Sequence, residues 1–118
     1  MNEDAFDEAS RDLDLMRALL LHLTEQERSP PESIFVSLSA LADLWLAGRH
    51  DVVRALQALS AHGFIEGPGL YEADSFLFRK ITGNGRALAQ AIGRPRDWKA
   101  IKARYLTSQR LRESAGRP

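Results

Sequence analysis

The chain has 118 residues, 44% apolar and 27% charged, with sixteen cations against sixteen carboxylates and no cysteine. That length suits one domain with one modest core, the composition is that of a folded chain, and disulfides and thiolate metal sites are excluded. The acidic start, MNEDAFDEAS, has the wrong sign for a secretory or transit peptide, and no apolar run approaches the roughly 20 residues of a membrane span. A soluble, cytoplasmic protein with no membrane contact is expected.

The zero net charge hides a segregation. Residues 1–28 carry three basic and eight acidic side chains, residues 29–78 two and six, and residues 79–118 eleven and two. A basic end suits nucleic acid or another acidic partner. An acidic first helix packed on a basic last helix would equally produce the pattern.

In chain order, residues 1–9 read as an acidic extension, residues 10–112 as the domain and residues 113–118 as a flexible tail. RDLDLMRALLLHLTEQE predicts an amphipathic helix, with Leu13, Met16, Leu20 and Leu23 as its stripe and Leu15 and Leu19 widening it. SPPES ends it, because proline and the residue before it disfavour helix. SIFVSLS is β-branched and aromatic, which predicts a brief strand over Ile34–Ser37. Ser39 is placed to cap a helix over residues 40–47 that turns Leu41, Leu44 and Trp45 to one side. Gly48 then supplies a left-handed stop.

A turn of about three residues leads to VVRALQALSAHG, a second helix with Val52, Leu56 and Leu59 inward and Gly63 at its end. Two short helices joined by a glycine turn make a helix-turn-helix pattern. Residues 64–66 and 76–81 alternate as two antiparallel strands, with the tip at residues 72–75 and Gly67-Pro68-Gly69 as a bulge or as the turn itself. Thr82 caps a helix, GNGRALAQAIG, with Leu88 and Ile92 inward and with Gly83 and Gly85 easing the turn into it. Pro95 opens a last helix whose apolar stripe is Trp98, Ile101 and Tyr105. The fold expected is mainly α with a small β-wing, a winged helix-turn-helix with two additional C-terminal helices.

Three segments, DLDLMRALLLHL, VVRALQALSAHGFIE and KITGNGRALAQAIGRPRDWKAIK, occur in this order. Together they resemble the phage- and bacterium-associated family described as domain of unknown function 2513, over residues 11–104. Ile81, Thr82, Gly85, Ala91, Ile92, Trp98 and Lys102 carry most of the likeness. It implies a winged-helix fold and a prophage-like setting, and no activity. The chain departs from the family's pattern in its acidic start and at Asn84.

Enzymatic chemistry finds little footing. His22, His50 and His62 do not pair at ligand spacing and no carboxylate completes a cluster. His22 suits a helix boundary. GNGRAL lacks the third glycine and the following strand of a dinucleotide site. No nucleophile has a base at useful spacing. The expectation is a protein that is not an enzyme, with no cofactor and no metal.

DNA binding is the leading expectation, as a prophage-type or bacterial transcription regulator on double-stranded DNA. On the second helix Arg49, His50, Val53, Arg54, Gln57, Ala58 and Ala61 face outward. Arg54 and Gln57 have the donors that read guanine and adenine edges, and Arg49 and His50 suit phosphates. Arg79 and Lys80 at the wing base, and Lys99 and Lys102 with Arg96 and Arg110 on the last helix, supply further cations. Against this stand Glu72 and Asp74 at the wing tip and Glu66 on its first strand, which oppose phosphate. The alternative is a protein-protein interaction adaptor on the same scaffold, since fold does not fix function. Trp45 and Trp98 read as core anchors. An apolar stripe of the last helix left uncovered by the first would make a homodimer through the terminal helices, setting two recognition helices roughly 34–36 Å apart.

Overall fold

The computed structural model describes residues 3–115. The molecule is mostly helical with a small antiparallel sheet. Helix α1 spans Glu3–Gln26. It takes in most of the stretch expected as an extension, because carboxylates over the opening turns suit a helix N-terminus. Its buried line is Leu15, Leu19, Leu20 and Leu23, whereas Leu13 and Met16 are only half-buried. The stripe is thus rotated from the sequence reading, and Leu13 and Met16 lie on its flank.

Strand β1, Ile34–Ser37, runs straight into α2, Leu38–Leu44. The cap is Ser37, not Ser39: its hydroxyl oxygen accepts from the Ala40 backbone N–H at 3.1 Å. Starting two residues early shifts the helical phase, so Leu38, Leu41 and Ala42 are buried while Leu44 is 58% exposed. The left-handed residue after α2 is Leu46 (φ 50°), not Gly48, which is extended and serves as the N-cap of α3. Helix α3 spans Arg49–Ala61, so Arg49 and His50 lie inside its first turn. Val52, Ala55, Leu56 and Leu59 form its buried side, and Gly63 (φ 75°) ends it as expected.

The next segment is a long hairpin with a break in each arm. Strands β2 (Ile65–Glu66) and β3 (Gly69–Tyr71) run out; β4 (Ser75–Phe78) and β5 (Lys80–Ile81) return. At the base Ile65 faces Ile81 and Glu66 faces Lys80. Farther out β4 is central, with β3 on one edge and β1 on the other, Val36 opposite Phe76. The sheet therefore has a third strand that a two-stranded wing lacks. Gly67 and Pro68 interrupt the outgoing arm and Arg79 the return, where its N–H donates to the Glu66 carbonyl at 3.0 Å. At Gly67 a β-carbon would meet the Leu77 carbonyl oxygen at 2.6 Å, so the arms close only over glycine.

Helix α4, Gly83–Ile92, is capped by Thr82, whose hydroxyl accepts from the Gly85 N–H at 3.0 Å and donates to the Gly63 carbonyl at 2.5 Å. Helix α5 spans Pro95–Ala115. The tail expected over residues 113–118 overlaps its last turn, and residues 116–118 lie outside the described residues. Helix α1 is the common neighbour, packing on α3, α4 and α5. The core gathers its leucines with Leu56 and Leu59 of α3, Phe76 and Phe78 of β4, and Ile92 of α4. Phe78 is fully buried, worth about 1.5–3 kcal/mol of transfer free energy.

Candidate functional site

The outward line of α3 at 100° per residue is His50, Arg54, Gln57 and Ala61. All four are exposed, while Val53 and Ala58 are half-buried. Arg54 is not free. Its guanidinium lies 3.1 Å from Asp51, one turn back, and 3.6 Å from Asp12 of α1. Arg49 is likewise directed at a carboxylate, 3.4 Å from Asp74 at the hairpin tip. His50 and Gln57 have no hydrogen-bond or ionic partner among the described residues.

Asp74 stands at the end of the tip but turns back to the β1–α2 junction. It accepts from the Ser37 hydroxyl at 2.9 Å, the Ser39 N–H at 3.0 Å and the Ser39 hydroxyl at 2.5 Å. Its own backbone carbonyl accepts from Leu38 N–H at 2.9 Å. The Ser39 hydroxyl, then the Ser37 hydroxyl, hold its carboxyl below the ordinary 3.8. Ser39 is thus a clasp for the hairpin where sequence reading made it a helix cap. Glu72 (φ 58°) remains exposed at the tip.

The other candidate cations are dispersed. Lys80 lies 3.7 Å from Glu66 across the hairpin base. Lys102 donates to Asp14 of α1 at 2.9 Å, beside the Trp98 indole N–H, which donates to the same carboxylate at 2.8 Å. Acidic α1 and basic α5 therefore do pack together, joined by the Asp14–Lys102 ion pair. Arg79 and Lys99 are exposed without an ionic partner among the described residues. Arg96, Lys99 and Lys102 follow one another at three-residue spacing along α5, and of the three Lys102 reaches Asp14.

The structure also forms a surface that the sequence reading assigned to core. Helix α1 supplies Leu13 and Met16 as the floor of a groove of about 410 Å³; Ala58 of α3 and His62 just after it stand on one side, Ile101 and Tyr105 of α5 on the other. Ile101 is 37% and Tyr105 49% exposed. The expected stripe of α5 is thus only half covered, and among that helix's described side chains the buried one is Leu106. Trp98 and Trp45 are both part-buried against the core, and His22 meets Trp45 edge-on at 5.3 Å. The sequence signal for the groove was the width of the α1 stripe, more apolar than one packing face needs.

A second groove of about 520 Å³ opens between α1 and the α2–α3 turn, where Glu8, Arg11, Asp12, Asp14 and Asp51 surround Trp45 and Leu46. Among the described residues no three metal-ligating side chains come together, and no helix is long and apolar enough to cross a membrane. No protein-family description, no curated protein and no solved structure matches the chain.

Proposed function

We propose that this chain is a winged-helix module that works by binding protein, with α3 serving as a structural helix. The winged-helix assignment is supported by the element order, helix, strand, two helices and hairpin, and by the strand order β1-β4-β3. The protein-binding reading rests on one observation: Arg54, the only cation on the outward line of α3, sits between Asp51 and Asp12.

The ion pairs themselves do not hold Arg54 back, since an exposed pair is worth about 0–1 kcal/mol. What opposes DNA is the charge left behind. Pulling Arg49 and Arg54 onto phosphates leaves Asp12, Asp51 and Asp74 facing a duplex with one negative charge per about 1.7 Å. The local balance is two cations against three carboxylates, before Glu72 is added. A protein surface carries no such uniform charge.

The test is fluorescence anisotropy on labelled duplexes from the gene's own neighbourhood, over a salt series beginning near 50 mM, where phosphate contacts are strongest. No sequence-specific binding is expected. Specific binding that weakens by about 1–3 kcal/mol in Arg54→Ala would overturn the reading.

A DNA-binding regulator is the second reading, favoured by the same topology and by Arg96 and Lys99 on one flank of α5. It requires that Arg96→Ala and Lys99→Ala weaken binding alike on all sequences and flatten its salt dependence.

A further inference from the structure

We propose that a second copy of this chain covers the groove between α1, α3 and α5, in a two-fold dimer that lays the basic α5 of each protomer along the acidic α1 of the other. The inference names a partner for the protein-binding surface and so rests on that reading. The groove is apolar along its floor and one wall, with Leu13, Met16, Ile101 and Tyr105 all partly open to solvent. Met16 suits a surface that must adapt to an inserted side chain. Leu111, farther along α5, is 65% exposed.

Charge complementarity selects the occupant. On α5, Arg104 follows Ile101 by one turn and Arg112 follows Tyr105 by two, so both border the groove-facing stripe. Both are exposed and have no carboxylate partner among the described residues. On α1, Asp12 stands one turn before Met16, and Glu8 one turn before that, at the neighbouring groove under the α2–α3 turn. Glu8 is exposed with no cation partner among the described residues, and Asp12 meets only the long 3.6 Å approach of Arg54.

Within one protomer, then, Arg104 and Arg112 of α5 and Glu8 of α1 have no opposite charge beside them among the described residues. A two-fold axis brings opposite members of such a patch together twice, which is what an isologous interface requires. With zero net charge, two copies meet no overall repulsion. A foreign acidic or basic helix would match only one side of the patch.

The experiment is sedimentation equilibrium of the full chain, alone and as charge-reversed variants, with thermal unfolding followed by circular dichroism to confirm folding. The wild type should dimerise, more weakly as salt rises. Glu8→Arg with Asp12→Arg, and separately Arg104→Glu with Arg112→Glu, should each weaken self-association by at least about tenfold. An equimolar mixture of the two reversed proteins should recover a heterodimer, because both charge contacts are restored. A wild type that is monomeric at roughly 100 μM, reversed proteins that do not recover on mixing, or a folded Ile101→Asp that dimerises like wild type would each overturn the proposal. A monomer would leave the protein-binding reading standing, since that reading fails only in the DNA titration.

Discussion

Gly85 of α4 lies so close to the chain that ends α3 that a β-carbon there would sit 2.0 Å from the Phe64 carbonyl oxygen. The clash is with backbone, and with Ile81 behind it at 2.8 Å, so no rotamer relieves it. Gly83, two residues earlier, faces open space. Gly85→Ala should therefore lower stability by about 1–3 kcal/mol or more through overpacking. Gly83→Ala should be neutral or raise it by about 0.4–1 kcal/mol through the unfolded chain. Urea unfolding of the two variants separates close approach from turn flexibility as the reason for glycine.

Arg17 gives α4 its C-terminal cap. From the middle of α1 it donates to the Ile92 carbonyl at 2.8 Å and the Gly93 carbonyl at 3.0 Å, and its guanidinium lies 5.9 Å from the Trp98 ring centroid. These carbonyls end a helix that has no basic residue of its own in its last turn. Arg17→Met should cost about 1.5–3 kcal/mol. Arg17→Lys should recover only part of it, because a single ammonium does not reproduce the planar fork. The midpoint of urea unfolding, at unchanged slope, measures both.

Asp74 predicts an acid limit. Its carboxyl titrates lower in the folded protein than its ordinary 3.8, because the ionised form accepts from Ser39 and Ser37. Its contribution is therefore complete above the unfolded value and lost as pH falls through the lower folded value. Asp74→Asn should be less stable than wild type near pH 7, and the gap should close as the solution is taken below pH 3.8. A gap unchanged down to full protonation would contradict the role given to Ser39 and Ser37.

For Arg54, exposed pairing predicts a small stability effect. Arg54→Ala should shift unfolding by no more than about 0–1 kcal/mol. A cycle with Asp51→Ala should give a coupling of about 0.3–0.5 kcal/mol that fades with added salt.

Local sequence carried the helices well and their starts poorly. Gly63 and Thr82 act where composition placed them, because each works through its own backbone or hydroxyl. The cap of α2 moved from Ser39 to Ser37 because two serines flank Leu38, and the choice between them depends on Asp74, 35 residues beyond Ser39. Helix α3 begins at Arg49, three residues before the apolar period opens at Val52, because polar residues leave no periodic mark in a helix's first turn. The candidate site was harder still. Arg54 looked like a base reader because Asp12 is remote in sequence, and Lys102 looked like a phosphate contact because Asp14 lies 88 residues away. Counting charges along a chain does not reveal which of them meet.

Helix α1 packs on α3, α4 and α5, and Arg17 closes on carbonyls 75 and 76 residues later. Helix α1 thus precedes in the chain every element that packs around it. Until residue 93 has emerged, Leu13, Met16 and Leu20 have only part of their cover. The cover of α1 therefore depends on contacts of long sequence separation, which carry the larger loop-closure cost.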